Sequence, residues 1–339
     1  MRLPITTSAD VSIQELLFKQ IRLQVPSYLS FVDEIAEVLD ISTDSAYRRM
    51  RCEKELSLEE AKRLALHFSI SIDQFLDPKT GPVLFRGNLA DSSKKDLADW
   101  LMKTSAVFKK VQDGPDSYLY HSFWDAPFCI FLQIQELAMF KYFFWQKTIL
   151  NKEHLRDEKF TTEIKDKKLV DLGAEVISIY NQIPGAEIWT RESLVTTLSQ
   201  IEYYKDSGIF KSKADVQIIY DQLEELVRHY EKQAELGIKF DFGKCPSEGA
   251  APFQMLYNET SIWNNCALGQ YGDKRMAIVN QGISNTIETT DTRFTQDVYN
   301  SIQNLIKKST QISVVGEKER LQFFNCLRGQ IHTARQKRA

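Results

Sequence analysis

Serines followed three positions later by glutamate or glutamine mark helix starts in the first 77 residues. These pairs have the spacing of a capping box, in which both side chains bond free amides of the first helical turn: Ser12 with Glu15, Ser57 with Glu60, and Ser71 with Gln74. Ser42 predicts one more start, because serine is a favoured N-cap residue. Short helices become stable mainly by packing together. We therefore expect five of them in one small bundle.

The predicted core of this bundle consists of apolar residues that recur at the helical period. They are Ile13, Leu16, Leu17 and Ile21 in the first helix, Val32, Ile35, Ala36 and Leu39 in the second, Leu58, Ala61, Leu64, Ala65 and Phe68 in the fourth, and Ile72, Phe75 and Leu76 in the fifth. The segment DPKTGP at 77–82 contains two prolines and a glycine and predicts a linker. We therefore expect a first domain over 1–80 and a second over 83–339.

The second domain is expected to be larger and to combine helices with strands. Helical patterns recur at about 93–112, 129–146, 165–182, 190–206, 212–236, 293–310 and 317–335. Between 238 and 290 the segments are short and bounded by Gly, Pro, Asn and Asp, which is typical of strands. YGDK at 271–274 predicts a hairpin turn, and 117–123 predicts another strand. The predicted fold class is therefore α+β, mainly helical, with a small antiparallel sheet.

Composition indicates a cytoplasmic protein without membrane association. The five cysteines, at 52, 129, 245, 266 and 326, are scattered and form no CxxC pair, as suits a reducing compartment. The first ten residues lack the apolar segment of a signal peptide. The most apolar stretch, 126–145, includes Gln133, Gln135, Glu136 and Lys141, which are costly inside a bilayer. We therefore expect this stretch to be a buried amphipathic helix.

The segment ISTDSAYRRMRCEK, residues 41–54, places three arginines within four positions. Only LDIS separates the second and third helices, an arrangement typical of helix-turn-helix domains, whose second helix enters the major groove of DNA. The predicted recognition helix covers about 42–52. Its predicted base-reading residues are Thr43, Asp44, Tyr47 and Arg48, since arginine can bond guanine bidentately. Arg49, Arg51 and Lys54 are predicted to contact phosphates, which position the protein on the duplex.

The run from Ile35 to Leu76 resembles the lambda-repressor/Cro-like helix-turn-helix domains, including the xenobiotic-response-element and BetR-type groups. The matching residues are Ala36, Ile41, Ser42, Arg48, Arg51, Leu58, Leu64, Ala65, Ser71, Ile72 and Asp73. The five-helix domain that this resemblance implies covers about 65 residues, a fifth of the chain. The resemblance implies that Ser42 contacts a phosphate and that Thr43, Asp44, Tyr47 and Arg48 read bases. Asp40 stands where glycine is common in the turn, and Arg49 where an apolar anchor is usual, unless Met50 takes that place.

Other interpretations of these patterns stay open. Residues 13–77 contain twelve acidic and eight basic residues, so the basic cluster could be a solvated helix face. The spacing of Val216, Ile219, Leu223, Leu226 and Tyr230 suits a coiled-coil seam, although internal packing is favoured. The aromatic residues of 118–145 could form a core, which is favoured, or line a ligand pocket.

Motifs of catalysis are missing from the sequence. It has no GxxxxGK[ST] or GxGxxG phosphate loop, no HExxH helix and no GxSxG elbow. The five histidines, at 67, 121, 154, 229 and 332, lack metal-ligand spacing. We therefore predict no enzyme activity, no cofactor and no metal site.

Together these patterns predict a cytoplasmic, sequence-specific transcriptional regulator that binds double-stranded DNA as a homodimer. The second domain is expected to dimerise the protein, and a small-molecule or protein effector is left open. One alternative is a protein-interaction adaptor that uses the helical module. Another is a ligand sensor for which the DNA module is the output.

Overall fold

The computed structural model describes residues 12–26, 29–75, 83–87, 96–123, 125–163, 166–260, 266–282 and 285–337. The chain divides into two compact units, Met1–Leu84 and Phe85–Ala339. The described part is mainly helical and contains one mixed sheet, so the α+β class is confirmed. The linker predicted at 77–82 lies outside the described residues, as do Trp124 and the predicted helix start at 93.

The amino-terminal unit is a bundle of short helices. They are α1 (Ile13–Arg22), α2 (Phe31–Leu39), α3 (Thr43–Met50), α4 (Leu58–His67) and a 3₁₀ helix (Ile72–Phe75). The capping box of Ser57 and Glu60 is complete, and Ser12 and Ser42 each accept a first-turn amide. The short fifth helix predicted after Ser71 forms as a four-residue 3₁₀ helix.

Seven of the sixteen predicted apolar positions are buried in the core of this unit, and Val32 and Phe75 pack against it partly buried. Its buried members are Leu17, Phe18, Ile21, Ile35, Ala36, Leu39, Ala46, Leu64, Phe68 and Ile70. Leu58 and Ile13 were predicted core residues, yet Leu58 is 90% exposed and Ile13 is also exposed. Each is the first residue of its helix, at the margin of the apolar stripe, so its side chain faces solvent.

The carboxyl-terminal unit is built on a seven-stranded sheet. Its strands are β1 (Tyr118–Ser122), β2 (Gly185–Trp189), β3 (Phe253–Tyr257), β4 (Cys266–Tyr271), β5 (Lys274–Gly282), β6 (Asn285–Thr289) and β7 (Thr310–Gln311). Their order is β6-β5-β4-β1-β2-β3-β7. The strand at 117–123 and the hairpin at YGDK are confirmed as β1 and the β4–β5 turn.

The direction of the central strands corrects the predicted antiparallel sheet. β1 pairs with β2, and β2 with β3, in parallel, whereas the other pairs are antiparallel. Parallel neighbours need a long crossover connection, and helices occupy the chain between these strands. The sheet is therefore mixed and larger than predicted.

Helices cover both faces of this sheet. They are α5 (Leu97–Gln112), α6 (Phe128–Phe131), α7 (Gln135–Phe144), a π-helical turn (Trp145–Ile149), a 3₁₀ turn (Glu153–Leu155), α8 (Lys167–Asn181), α9 (Val195–Asp206), α10 (Lys213–Leu236), α11 (Thr292–Lys307) and α12 (Glu317–Gln336). Val298 and Ile302 of α11 pack on one face, and the larger core lies on the other. The apolar seam of α10 is buried in that core, which confirms internal packing.

The apolar stretch 126–145 belongs to the interior of this unit. Phe131, Phe140, Tyr142 and Trp145 are all buried in the larger core. In the described part of the chain, no helix combines the length and the apolar character needed to cross a membrane.

Candidate nucleic-acid interface

The turn between α2 and α3 is tight and is closed by backbone hydrogen bonds. Asp40 ends α2 in the left-handed conformation, with φ 56° and ψ 52°. The Ile41 amide donates to the Ala36 carbonyl at 3.0 Å, and Ser42 then caps α3 by accepting from the Ser45 amide at 3.3 Å. Aspartate tolerates the left-handed region better than most residues. Asp40 therefore makes the turn for which glycine is commonly used.

The inner side of α3 is fixed by Ala46, Arg49 and Met50. Ala46 is buried and Met50 packs partly buried against the same core. Arg49 is only 4% exposed. Its guanidinium donates to Glu60 Oε1 at 2.6 Å and to the Ser45 carbonyl at 3.1 Å. The Arg49 hydrogen bond lowers the pKa of Glu60 below its ordinary value, so this pair holds α3 against α4 as an ion pair.

This placement corrects the phosphate role predicted for Arg49. The spacing of Ala46, Arg49 and Met50, three and four positions, puts all three on one face of a helix. A guanidinium on that inner face, already bonded to a carboxylate, is not available to a phosphate. Arg49 thus occupies the anchor position as a residue of the bundle itself.

The outer side of α3 carries the other predicted contact residues. Thr43, Asp44, Tyr47 and Arg48 are all exposed. Their spacing places them along one strip of the helix. Such a strip has side chains of the right types to approach base edges.

Three more predicted residues flank this strip. Ser42 is exposed, but its hydroxyl is already engaged with Ser45 as the helix cap. Arg51 and Lys54 are exposed beyond the last turn. The Arg51 guanidinium lies 5.7 Å from the Tyr47 ring centroid, and its ion pair with Glu53, at 3.9 Å, is exposed and therefore weak. Both cationic side chains remain open to an external anion.

Gln14 of α1 positions the segment that follows α3, a role that sequence reasoning missed. Its side-chain amide donates to the carbonyls of Arg49 and Lys54 at 2.7 and 2.8 Å. Its side-chain oxygen accepts from the Leu56 amide at 2.9 Å. These three bonds fix the turn that presents Arg51 and Lys54. No spacing signal in the sequence links Gln14 to positions 35 to 42 residues away.

A second group of chemically competent side chains is buried in the carboxyl-terminal unit. The Tyr180 hydroxyl donates to Glu187 Oε1 at 2.5 Å, and the Trp189 indole donates to Oε2 at 2.7 Å. The Lys239 ammonium lies 3.9 Å from the Tyr180 ring centroid. Burial raises the pKa of Glu187 and lowers that of Lys239 to about 8. Sequence reasoning did not single out these residues, which come from distant segments.

His121 on β1 adjoins this buried group. In the sheet register it lies beside Glu187 on one side and Ala267 on the other. Burial, with the nearby charge of Lys239, lowers the pKa of His121 to about 3, so its ring is neutral at physiological pH. Among the described residues, no group of three or more His, Cys, Asp or Glu side chains is arranged to hold a metal ion.

Comparisons of the chain with protein-family models, with curated proteins and with solved structures found no match, so the case for either site rests on its own geometry.

Proposed function

We propose that this protein is a sequence-specific DNA-binding transcriptional regulator of the lambda-repressor/Cro-like helix-turn-helix type, with α3 as the recognition helix. The observation that carries the proposal is the two-sidedness of α3. Ala46, Arg49 and Met50 anchor its inner side, and Tyr47 and Arg48 stand among exposed polar residues on its outer side. A recognition helix needs this division, because it must be held rigidly while its outer side chains reach bases.

The contact roles in this proposal divide among the exposed residues. Thr43, Asp44, Tyr47 and Arg48 read base edges in the major groove, with Arg48 bonding guanine. Arg51 and Lys54 contact phosphates, and Ser42 holds the start of α3 near the DNA backbone. Arg49 is removed from the phosphate set.

The proposed active form is a homodimer, with unit Phe85–Ala339 joining two copies. A single small helical module makes few base contacts, whereas two modules about 34 Å apart can read successive major grooves. The proposed location is the cytoplasm, because a reducing compartment keeps cysteines free of disulfide bonds and all five cysteines here are free.

Selection of bound sequences from a random duplex pool, with the full chain, tests this proposal. We expect a near-palindrome with half-sites about one helical turn apart. Arg51 and Lys54 would give four phosphate contacts per dimer, so the logarithm of the binding constant should fall against the logarithm of salt with a slope of about −4. Recovery of unenriched sequences, or binding that is insensitive to salt, would count against the proposal.

Three single substitutions separate the proposed roles. Arg48→Ala should change the selected sequence, whereas Lys54→Ala should weaken binding to all sequences and bring the salt slope to about −2. Arg63→Ala is the matched control, because Arg63 is an exposed basic residue on α4 outside the proposed interface. It should leave both sequence preference and affinity unchanged.

A protein-interaction adaptor is the second candidate, and exposed leucines on α4 favour it. Leu58 and Leu66 are both largely exposed on this short helix. Contiguous exposed apolar surface marks protein-interaction sites, and in the adaptor interpretation these two leucines belong to such a surface. If the adaptor interpretation is right, Leu66→Lys should abolish capture of a partner protein, and Arg48→Ala should not.

A further inference from the structure

A cavity of about 540 Å³ opens between α5, α6 and the β4–β5–β6 side of the sheet in the carboxyl-terminal unit. This volume falls within the range of sites that bind small organic molecules, roughly 300–1,000 Å³. All of the described residues that line the cavity belong to this one unit.

The walls of the cavity are apolar and aromatic, and the key aromatic ring is held in place. Trp100, Phe108, Phe128 and Ile278 contribute to them. The Trp100 indole donates to the Thr286 hydroxyl at 3.1 Å, and its ring centroid lies 4.2 Å from that of Phe128. These contacts hold two aromatic rings in the cavity wall, tilted by 51° to each other, against which an apolar molecule can pack.

The His121 imidazole is a buried polar group in the cavity wall. His121 is 7% exposed and lines the cavity, and its Nδ1 has no hydrogen-bond partner among the described residues. A buried polar atom normally has a partner, because leaving it unpaired is costly. Because the His121 side chain lines the cavity, its imidazole is a hydrogen-bonding group that a bound molecule can use.

The rim of the cavity carries charges of both signs. Arg86 and Lys103 lie there with Asp96, Asp99 and Glu288. Among the described lining residues, two basic and three acidic side chains create no strong field of a single sign. The rim therefore does not favour a strongly anionic or cationic ligand, in contrast to a phosphate-binding or polyamine-binding site.

We propose that this cavity binds a small, uncharged, largely aromatic molecule that carries one hydrogen-bonding group for the imidazole of His121. If the protein is the regulator proposed above, the cavity is its effector site. Binding in the cavity does not depend on that function, and it is measured without DNA.

The test uses N-phenyl-1-naphthylamine as the probe, because it is neutral and aromatic, has one N–H group and fluoresces strongly in apolar surroundings. It is titrated into the full-length protein. Ala267→Leu should weaken binding at least tenfold, since Ala267 lines the cavity directly beside His121 in the sheet. His121→Phe keeps a ring but removes the hydrogen bond, and it should weaken binding about two- to tenfold. Met102→Ala, an exposed position on α5 outside the lining, should bind as the original protein does.

Two outcomes would overturn the proposal. One is no saturable binding of the probe to the original protein, and the other is equal binding to the Ala267→Leu variant. If that variant does not fold, as judged by circular dichroism, Thr104→Phe replaces it in the same test, and equal probe binding to it would overturn the proposal. Thr104 lines the cavity at a half-buried position, where a larger ring can occupy the space of the probe. DNA binding is measured separately on the same proteins. Absence of probe binding to the original protein overturns only the cavity proposal, and absence of DNA binding in the original protein overturns only the proposed function.

Discussion

Alanine substitutions of two adjacent arginines on α3 should affect different properties of the protein. The first should affect DNA binding and the second the stability of the amino-terminal bundle. Arg48 is exposed on the outer strip, whereas Arg49 is buried and bonded to Glu60 and Ser45. Arg48→Ala should leave folding unchanged and weaken DNA binding. Arg49→Ala should destabilise the amino-terminal bundle, and it should weaken DNA binding only to the extent that the bundle opens.

The size of the Arg49 effect follows from its burial. Removing one partner of a buried ion pair costs about 3–5 kcal/mol. The Glu60 side chain is 20% exposed, so water can restore part of its solvation, and we expect about 2–4 kcal/mol for Arg49→Ala. For Arg48→Ala, loss of a bidentate contact with guanine costs about 1–3 kcal/mol of binding free energy.

Amide hydrogen exchange in the full-length protein, read by mass spectrometry, measures the first quantity. A loss of about 2–4 kcal/mol corresponds to exchange in α2, α3 and α4 that is faster by about 30- to 900-fold. The double variant Arg49→Met with Glu60→Gln serves as a control. It removes both charges together, and it should recover part of the lost protection.

One result would refute this reasoning. If Arg49→Ala left exchange unchanged but reduced DNA affinity as strongly as Lys54→Ala does, Arg49 would be a phosphate contact after all. The structural role of its bond to Glu60 would then be wrong.

Three further predictions concern stability. The Arg49 hydrogen bond lowers the pKa of Glu60 below its ordinary value of 4.5. The Glu60 carboxylate therefore stabilises the bundle at pH values above 4.5, and this contribution is lost as the pH falls below that value. Glu60→Gln should remove this acid sensitivity from amide exchange in α4. Burial lowers the pKa of His121 from 6.5 to about 3. Between these pH values the unfolded chain binds a proton that the folded chain does not, so the free energy of unfolding falls as pH drops. In denaturant titrations, His121→Phe should reduce the slope of unfolding free energy against pH near pH 5 by about 1.4 kcal/mol per pH unit. Val314 is 64% exposed with φ 62°, a strained conformation for a β-branched residue, so Val314→Asn should raise the unfolding free energy by about 0.5–1 kcal/mol, and Val315→Asn, the exposed neighbour, should not.

Local features of the fold could be predicted from the sequence, and long-range pairing could not. The helix starts at Ser12, Ser42 and Ser57 depend on bonds to amides only three residues away. The parallel alignment of β1 with β2 depends on strands that are separated by more than sixty residues. Alternating side chains indicate that a segment is a strand, but they do not give its neighbour or its direction.

The same division holds for the two sites. The helix-turn-helix interpretation put Thr43, Asp44, Tyr47 and Arg48 on the outer side of the third helix, and these residues are exposed. The inward position of Arg49 also follows from its spacing to Ala46 and Met50, but its partner Glu60 lies on the next helix and is not indicated by any motif.

The cavity could not be foreseen from the sequence. His121, Ala267 and Trp100 come together only through the strand order and the packing of α5, which no local pattern encodes. The aromatic residues of 118–145 were expected either to form a core or to line a pocket. Most of those described are buried in the core, and Phe128 lines the cavity.

Photo-crosslinking at Tyr47 tests the central claim, that the outer strip of α3 contacts DNA. A photoreactive benzoylphenylalanine replaces Tyr47 in the full-length protein, and in a control protein it replaces Leu23, which is exposed at the end of α1. With a pool of DNA duplexes, the account predicts strong crosslinking from position 47 that is lost at high salt, and little from position 23. Equal or absent crosslinking from position 47 in a folded protein would contradict it.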